Sequence, residues 1–346
     1  MHDLPAALRS ALAAAASQYP PPVVASTTAR LFDRYQQGDP AAAEPILRST
    51  TDAVAYATYR MPATYAAVRS ALAELHSVAP DFAPRVHLDL GGGTGAAVWA
   101  VADVWPNRVA HTVWEHVDVV AQLGRRLAAS ATTTLRYTDW HHRDITEPTP
   151  LPEADLVTVS YLLGELEAPA RAQLVTTLGR HGGVVVIVEP GTVAGHQRIL
   201  QARDALLAAE RRILAPCPHP RQCPMARAGD WCHFAARVHR SVEHRKAKSA
   251  TKGHEDEKFA YLVVTPTPHP AAAARIVRHP QVRKGLVGLQ LCTAAGEVST
   301  ELVSKRRGET YRAARRASWG AAWPPPDAGP RSALDAITPG GGADSH

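Results

Sequence analysis

VHLDLGGGTGAAVWAVADVW, residues 86–105, runs from an apolar strand through a glycine turn into an apolar helix. VHLDL (86–90) reads as the strand, GGGTG as a tight turn, and AAVWAVADVW (96–105) as the helix behind it. The alternation continues downstream. HTVWEH (111–116) is a second strand with VDVVAQLGRRLAA as its helix, and TTLRYTDW (133–140) a third strand. DLVTVSYLLGEL (155–166) runs a fourth strand into a helix start, and GGVVVIVEPGT (182–192) is a fifth. The fifth is continuously apolar, as the buried centre of a parallel sheet requires. Strands and helices in alternation predict an α/β fold, an open sheet with helices on both faces.

Outward from this block the patterns change. The first eighty or so residues alternate Ala/Leu-rich helical stretches with breaks at Pro20–Pro22, Pro40 and Pro45, and YAAVRSALAELHSV (65–78) has helical apolar spacing. The opening segment reads as a first helix rather than a targeting sequence. Beyond strand five, residues 193–214 look helical, and KFAYLVVTP (258–266) and GLVGLQLCTAAGEVSTELVSKR (285–306) look like strands closing the same sheet. The Pro/Gly-rich end, 321–346, has the composition of a disordered tail.

Apolar residues make up 45% of the 346 and charged residues 20%, a globular composition. No apolar run is long enough to cross a bilayer. The net charge of +6 conceals an asymmetry: residues 1–190 carry 14 Lys+Arg against 19 Asp+Glu, and the remainder 24 against 13. A basic half joined to an acidic half predicts that one end meets a polyanion, nucleic acid foremost, because phosphate contacts scale with local cation density. Two runs stand out, Arg245, Lys246 and Lys248 in one, and Lys305, Arg306, Arg307, Arg312, Arg315 and Arg316 in the other.

Asp89, Gly91, Gly93 and Gly95 form D-x-G-x-G-x-G between strand and helix. The spacing differs from G-x-G-x-x-G, and no Lys-Ser/Thr follows to cradle a triphosphate. An acid ahead of the turn repels a pyrophosphate but accepts bonds from an amino-acid ammonium. Glu115, closing the second strand, can take both ribose hydroxyls of an adenosine. Asp144, after the third, can accept an adenine amino group. Together they predict S-adenosylmethionine, with its sulfonium around Ser160–Tyr161 at the end of the fourth strand. Enzymes that methylate exocyclic amines place Asn/Asp-Pro-Pro-Tyr/Phe there. This chain has SYLLGE, and no catalytic residue is assigned.

All four cysteines lie in the basic half: Cys217, Cys223 and Cys232 within CPHPRQCPMARAGDWCHF, and Cys292. Thiols used so sparingly and then clustered point to an inorganic centre. Gaps of five, eight and fifty-nine residues are loose for a zinc knuckle and suit a four-iron cluster, yet His219 and His233 could complete a zinc site. Spacing leaves both metals open. A radical enzyme would need C-x3-C-x2-C, which is not here.

CPHPRQCP (217–224), DWCHFAARVHR (230–240), EDEKFAYLVV (255–264), the Cys292 strand and KRRGETYRAARRASWG (305–320) resemble, in order, blocks of the mitochondrial ribosome small-subunit assembly methyltransferase-like family and its bacterial relatives. RMPATYAAVRSAL (60–72), DLGGGTG (89–95), SYLLGEL (160–166) and VEPGT (188–192) are similar to further blocks, so the resemblance covers roughly 55–320. It implies a class I methyltransferase (Rossmann-like) sheet at 81–320. An N-terminal helical region at 1–80 would precede it, and a cysteine-rich, cluster-binding insertion would occupy 193–257. It further implies a 4Fe-4S cluster on Cys217, Cys223, Cys232 and Cys292, with zinc the alternative, and association with small-subunit ribosomal RNA during assembly. The expected protein is free of membranes and monomeric when unbound. It would be cytoplasmic in a bacterium and reside in the mitochondrial matrix in a eukaryote. An active rRNA methyltransferase using the same fold is the competing reading.

Overall fold

The computed structural model describes residues 3–37, 46–106, 109–131, 134–147, 149–239 and 253–325. Five parallel strands form its centre: β1 (Val86–Leu90), β2 (Ala110–Glu115), β3 (Asp139–His142), β4 (Leu156–Ser160) and β5 (Val184–Pro190), in the spatial order β3-β2-β1-β4-β5. Beyond β5 the direction reverses. The antiparallel strand β8 (His254–Thr265) pairs β5 on one side, and on the other carries β6 (Arg212–Ala215) at one end and β7 (Phe234–His239) at the other. This mixed sheet has the class I methyltransferase-like α/β arrangement.

Side chains alternate faces along a strand, so a strand covered on both sides must be apolar throughout. In β5, Val184, Val186 and Val188 join one core while Val185 and Ile187 join the other. The second core packs under α6 (Ala168–Arg180) and α7 (Val193–Ala208). The first packs under α4 (Ala96–Val104), α5 (Asp118–Ala129) and the N-terminal helices α1 (Ala6–Ala16), α2 (Pro21–Gln37) and α3 (Thr50–Val78). A capping box starts α3: Ser49 Oγ accepts from Asp52 N at 3.1 Å, and the Asp52 carboxylate accepts from Ser49 N at 3.1 Å. Ala53, Ala57, Ala66, Ala67 and Ala71 are buried along α3, so the helical region shares the core of the sheet rather than building its own.

Three expectations need correction. The stretch 285–306 does not close the main sheet. It forms the hairpin β11 (Leu286–Thr293) and β12 (Val298–Ser304) of a second, antiparallel sheet with β9 (Ala274–Ile276), β10 (Gln281–Arg283) and β13 (Ala322–Trp323). Along β11, Val287, Leu289 and Leu291 are buried while Gly288 and Gln290 are half-exposed, the period of a strand covered on one face only. This sheet has its own core with Ile276, Val303, Ala314 and Trp323, the last lying past the expected start of the tail.

The third strand begins later than 133, because Thr134–Tyr137 make a 3-10 turn that buries Leu135 before β3 starts at Asp139. The helix expected over 193–214 stops at Ala208. Glu210 takes a left-handed φ of 61° and the chain turns into β6.

Candidate functional site

The carboxyl ends of β1, β2 and β4 bring together the acids and glycines of the turn. Gly95, at φ 86°, is the N-cap of α4. Gly93, at φ 58°, has only open space where a side chain would stand, and its N–H donates to Glu115 Oε2 at 2.9 Å. That open position lets a ligand approach the backbone. Gly91 also has positive φ, and a methyl group there would strike Leu162. The other Glu115 oxygen accepts from Val117 N at 2.8 Å, so the buried carboxylate braces both the turn and the start of α5.

Asp89 is fully buried at the end of β1. Its Oδ1 accepts from Thr158 Oγ1 at 2.6 Å, while Oδ2 has no partner among the described residues. Burial pushes the carboxyl up to about 7; the Thr158 bond opposes this and Glu115 adds to it. Ser160, at the end of β4, has a buried hydroxyl without a partner among the described residues. Asp144 lies past β3, exposed, with Oδ1 accepting from Thr146 N at 2.8 Å and Thr146 Oγ1 at 2.7 Å, bonds that hold its pKa below the usual carboxylate value. Asp89, Glu115, Ser160 and the three glycines thus share one end of the sheet, with Asp144 at its edge.

Beside them is a constellation not foreseen from sequence. Tyr161 adopts a left-handed φ of 59°, and its hydroxyl donates to Glu257 Oε1 at 2.8 Å. Arg60 of α3 donates to both Glu257 oxygens, at 3.1 and 3.4 Å, and its guanidinium lies 5.2 Å from the Tyr161 ring centre. The step after β4 is therefore tied to α3 and β8. A second unforeseen group, His87, His111 and Thr158, runs behind Asp89. Polar residues inside the otherwise buried strands VHLDL and AHTVWE were the signal for it.

All four cysteines are free thiols, and they line one pocket of about 30 Å³ where the two sheets meet. Cys217, Cys223 and Cys232 come from the chain between β6 and β7, which holds the short helix α8 (Pro224–Arg227), and Cys292 from β11. Met225, Val277 and Val298 pack around them. Burial pushes Cys292 up to about 12, with Cys217 and Cys223 adding to the rise. Burial and the other three thiols push Cys232 well above the usual thiol range.

His219, buried, places Nε2 3.4 Å from Cys292 Sγ. His233 is instead sandwiched by Trp231 and Trp319, with ring centres at 5.3 and 5.0 Å. Among the described residues no three His, Cys, Asp or Glu are set to hold a single metal ion. Zn–S bonds of about 2.3 Å demand tightly converged sulfurs. The four thiols line one small void without converging on a single ion position.

Of the cationic candidates, Arg245, Lys246 and Lys248 lie outside the described residues. Lys305, Arg306 and Arg307 follow β12, and Arg312, Arg315 and Arg316 belong to α9 (Glu309–Arg316), all of them exposed. Arg307 pairs with Glu301 at 2.5 Å and Arg312 with Glu309 at 2.5 Å. No helix among the described residues is long and apolar enough to cross a membrane.

Comparison with known proteins bears on this arrangement. The chain is 29% identical over 284 residues to the human "Ribosome assembly protein METTL17, mitochondrial", an alignment covering 77% of this chain and 61% of that protein. It is 24% identical over 343 residues to the "Rsm22-cox11 tandem protein 2, mitochondrial" of Schizosaccharomyces pombe, covering 80% and 44%. The chain thus spans less than two thirds of either relative. Among solved structures, magnesium protoporphyrin IX methyltransferase (ChlM) from Synechocystis PCC 6803 aligns with a TM-score of 0.40 at 11% identity, over 68% of this chain and 94% of that one. Residues 50–324, which take in both sheets and all four cysteines, match the family model described as "Mitochondrial small ribosomal subunit Rsm22", and the chain belongs to that family.

Proposed function

We propose that this protein is a small-ribosomal-subunit assembly factor that binds S-adenosylmethionine, carries a 4Fe-4S cluster on Cys217, Cys223, Cys232 and Cys292, and grips small-subunit ribosomal RNA through its basic half. The observation that carries this reading is the family match from 50 to 324, which takes in the glycine turn, the four thiols and the cationic helix together. In the cofactor cleft, Asp89 accepts from the ammonium, Glu115 from the ribose hydroxyls and Asp144 from the adenine amine, with Ser160 beside the sulfonium.

The cysteines would ligate the cluster, whose contribution is to cross-link two sheets that otherwise meet through packing and polar contacts such as Arg275 to the Pro216 carbonyl and Arg278 to Asp230. That fixes the second sheet and α9 relative to the main sheet, and with them Lys305, Arg306, Arg307, Arg312, Arg315 and Arg316 as a platform for phosphates. Arg245, Lys246 and Lys248, outside the described residues, are further candidate phosphate contacts. Methyl transfer is left out of the reading because Tyr161, bonded to Glu257 and covered by the Arg60 guanidinium, stands at the step where an acceptor amine would have to be oriented. The relatives' names carry the word mitochondrial, which favours the matrix as the site of action.

Anaerobic purification followed by iron, sulfide and zinc analysis tests the centre. About four irons and four sulfides per chain are expected, and stoichiometric zinc without iron would overturn the cluster. Crosslinking in cells should enrich small-subunit over large-subunit RNA, and equal recovery would overturn the assembly role. Labelled methyl appearing in that RNA would establish the competing enzymatic reading.

A further inference from the structure

Two arginines are among the largest fully buried side chains of the described residues; Arg203 lines the cysteine pocket and Arg275 pairs with Cys292 across the ladder. Arg203 of α7 is 2% exposed and lines the pocket with the four thiols. It donates to the carbonyls of His219, at 3.1 Å, and Arg221. Arg275 of β9 is also 2% exposed and stands opposite Cys292 in the β9–β11 ladder. It donates to the carbonyls of Pro216 and Gly320, each at 2.8 Å. The two guanidiniums therefore hold the backbone on either side of Cys217.

The carboxylate partners sit nearer solvent than the guanidiniums do, Asp204 far more so than Glu74, which is ion-paired with Arg275. Asp204 beside Arg203 has a side chain 71% exposed, and Glu74 on Arg275 is 26% exposed. Arg203 Nε has no partner among the described residues. A buried guanidinium is costly unless a charge of opposite sign shares its surroundings. Neutral thiols supply none. A tetrathiolate centre does: four thiolates around a four-iron core or around zinc leave the same two net negative charges.

We propose that Arg203 and Arg275 are counter-cations built into the fold for an anionic tetrathiolate centre, an inference that rests on the cysteine-site reading above but not on which metal fills it. The arginines are positioning residues. They neutralise the centre and hold the Cys217 loop, and by favouring added negative charge they raise the potential at which an iron core accepts an electron.

The test compares wild type with Arg203→Gln and Arg203→Lys in the full chain, each with metal and after chelator treatment, and repeats it with Arg275→Lys against Arg275→Gln. With metal bound, Arg203→Gln should lose it to a chelator at least tenfold faster than wild type, melt lower, and show a more negative midpoint if iron is present. Arg203→Lys should stay close to wild type. After metal removal the sign should reverse, with Arg203→Gln melting at or above wild type because an uncompensated buried charge has gone. Lowered melting of Arg203→Gln in both states, or Lys behaving as badly as Gln, would mean that the guanidinium only braces carbonyls, and overturns the proposal. Wild-type protein free of iron and zinc overturns the cysteine-site reading and the proposal with it. Metal-bound wild type with indifferent variants overturns the counter-charge alone.

Discussion

His87 Nδ1 lies 3.0 Å from His111 Nδ1, with the two rings edge to face and buried between β1 and β2. On its other side His87 Nε2 is 2.7 Å from Thr158 Oγ1, whose single proton goes to Asp89. With Asp89 ionised, the direction of the whole chain is determined. Thr158 donates to Asp89, so His87 must donate from Nε2 and accept at Nδ1, and His111 must donate from Nδ1. His111 Nε2 is then a bare acceptor, and it has no partner among the described residues. Nitrogen chemical shifts should report the Nε2–H tautomer at His87 and the Nδ1–H tautomer at His111. The reverse pair would mean that Asp89 holds the proton.

Both imidazoles are kept neutral by burial, which lowers His87 well below and His111 to about 4 from the ordinary 6.5. The folded pKa values lie below the unfolded ones. Between about pH 6.5 and 4 the unfolded chain therefore takes up protons that the folded chain refuses, and stability is lost as pH falls through that window. For His111 the loss is on the order of 3 kcal/mol. Asp89, raised to about 7, works in the opposite direction over about pH 4 to 7, so a comparison is needed to isolate the ring. Denaturant unfolding of His111→Gln should show a flatter acid limb than wild type. Parallel curves would remove His111 from the account.

The Asp89 shift has a second consequence, for ligand affinity. Asp89 must be ionised to accept from an ammonium, and with its pKa near 7 the affinity for S-adenosylhomocysteine should fall as pH drops below about 7. Asp89→Asn should weaken binding and abolish that dependence. Glu115→Ala removes hydrogen bonds to Gly93 and Val117 as well as the proposed ribose contact, and charged hydrogen bonds are worth about 1.5–3 kcal/mol, so affinity should drop roughly 10- to 150-fold. Calorimetric titration across pH reads both, and wild-type affinity in both variants would move the cofactor elsewhere.

Helix propensity and packing disagree at Gly124 in α5. Replacing a mid-helix glycine with alanine is worth up to about 1 kcal/mol in propensity. Here the added methyl would lie 2.2 Å from the Trp140 ring, which is itself buried in the same core. Overpacking a filled core costs about 1–3 kcal/mol, so packing wins and Gly124→Ala should lower the unfolding midpoint. An unchanged or raised midpoint would show that Trp140 can turn aside.

The same contrast between local pattern and tertiary setting decides what could be read from sequence. Strands β1, β2, β4 and β5 were legible because buried strands are written mostly in apolar residues, and the gathering of Asp89 and Glu115 at one sheet end because each closes a strand beside the glycine turn. Strand β6 was not, since RILA is too short to outweigh the helix before it. The second sheet was mistaken for the first because direction and partner are not encoded in alternation alone. His87 and His111 were visible as letters, but only the parallel register, which sets them side by side, makes them a pair. Nothing in QARDALL announces that Arg203 is buried.

Among the basic residues, the ion pairs sort the phosphate candidates. Arg307 and Arg312 already face Glu301 and Glu309, whereas Lys305, Arg306, Arg315 and Arg316 are exposed with no paired carboxylate among the described residues. A cation committed to a carboxylate releases fewer counterions on meeting RNA than a free one. Each phosphate contact on single-stranded nucleic acid contributes roughly 0.7 to the slope of log affinity against log salt. Arg306→Glu with Arg315→Glu should therefore cut the slope by about 1.4, and Arg307→Glu alone by less than Arg306→Glu alone. Filter binding to small-subunit RNA fragments across a salt series measures this. Should the double variant keep the wild-type slope, the surface carrying α9 is not where the RNA lies.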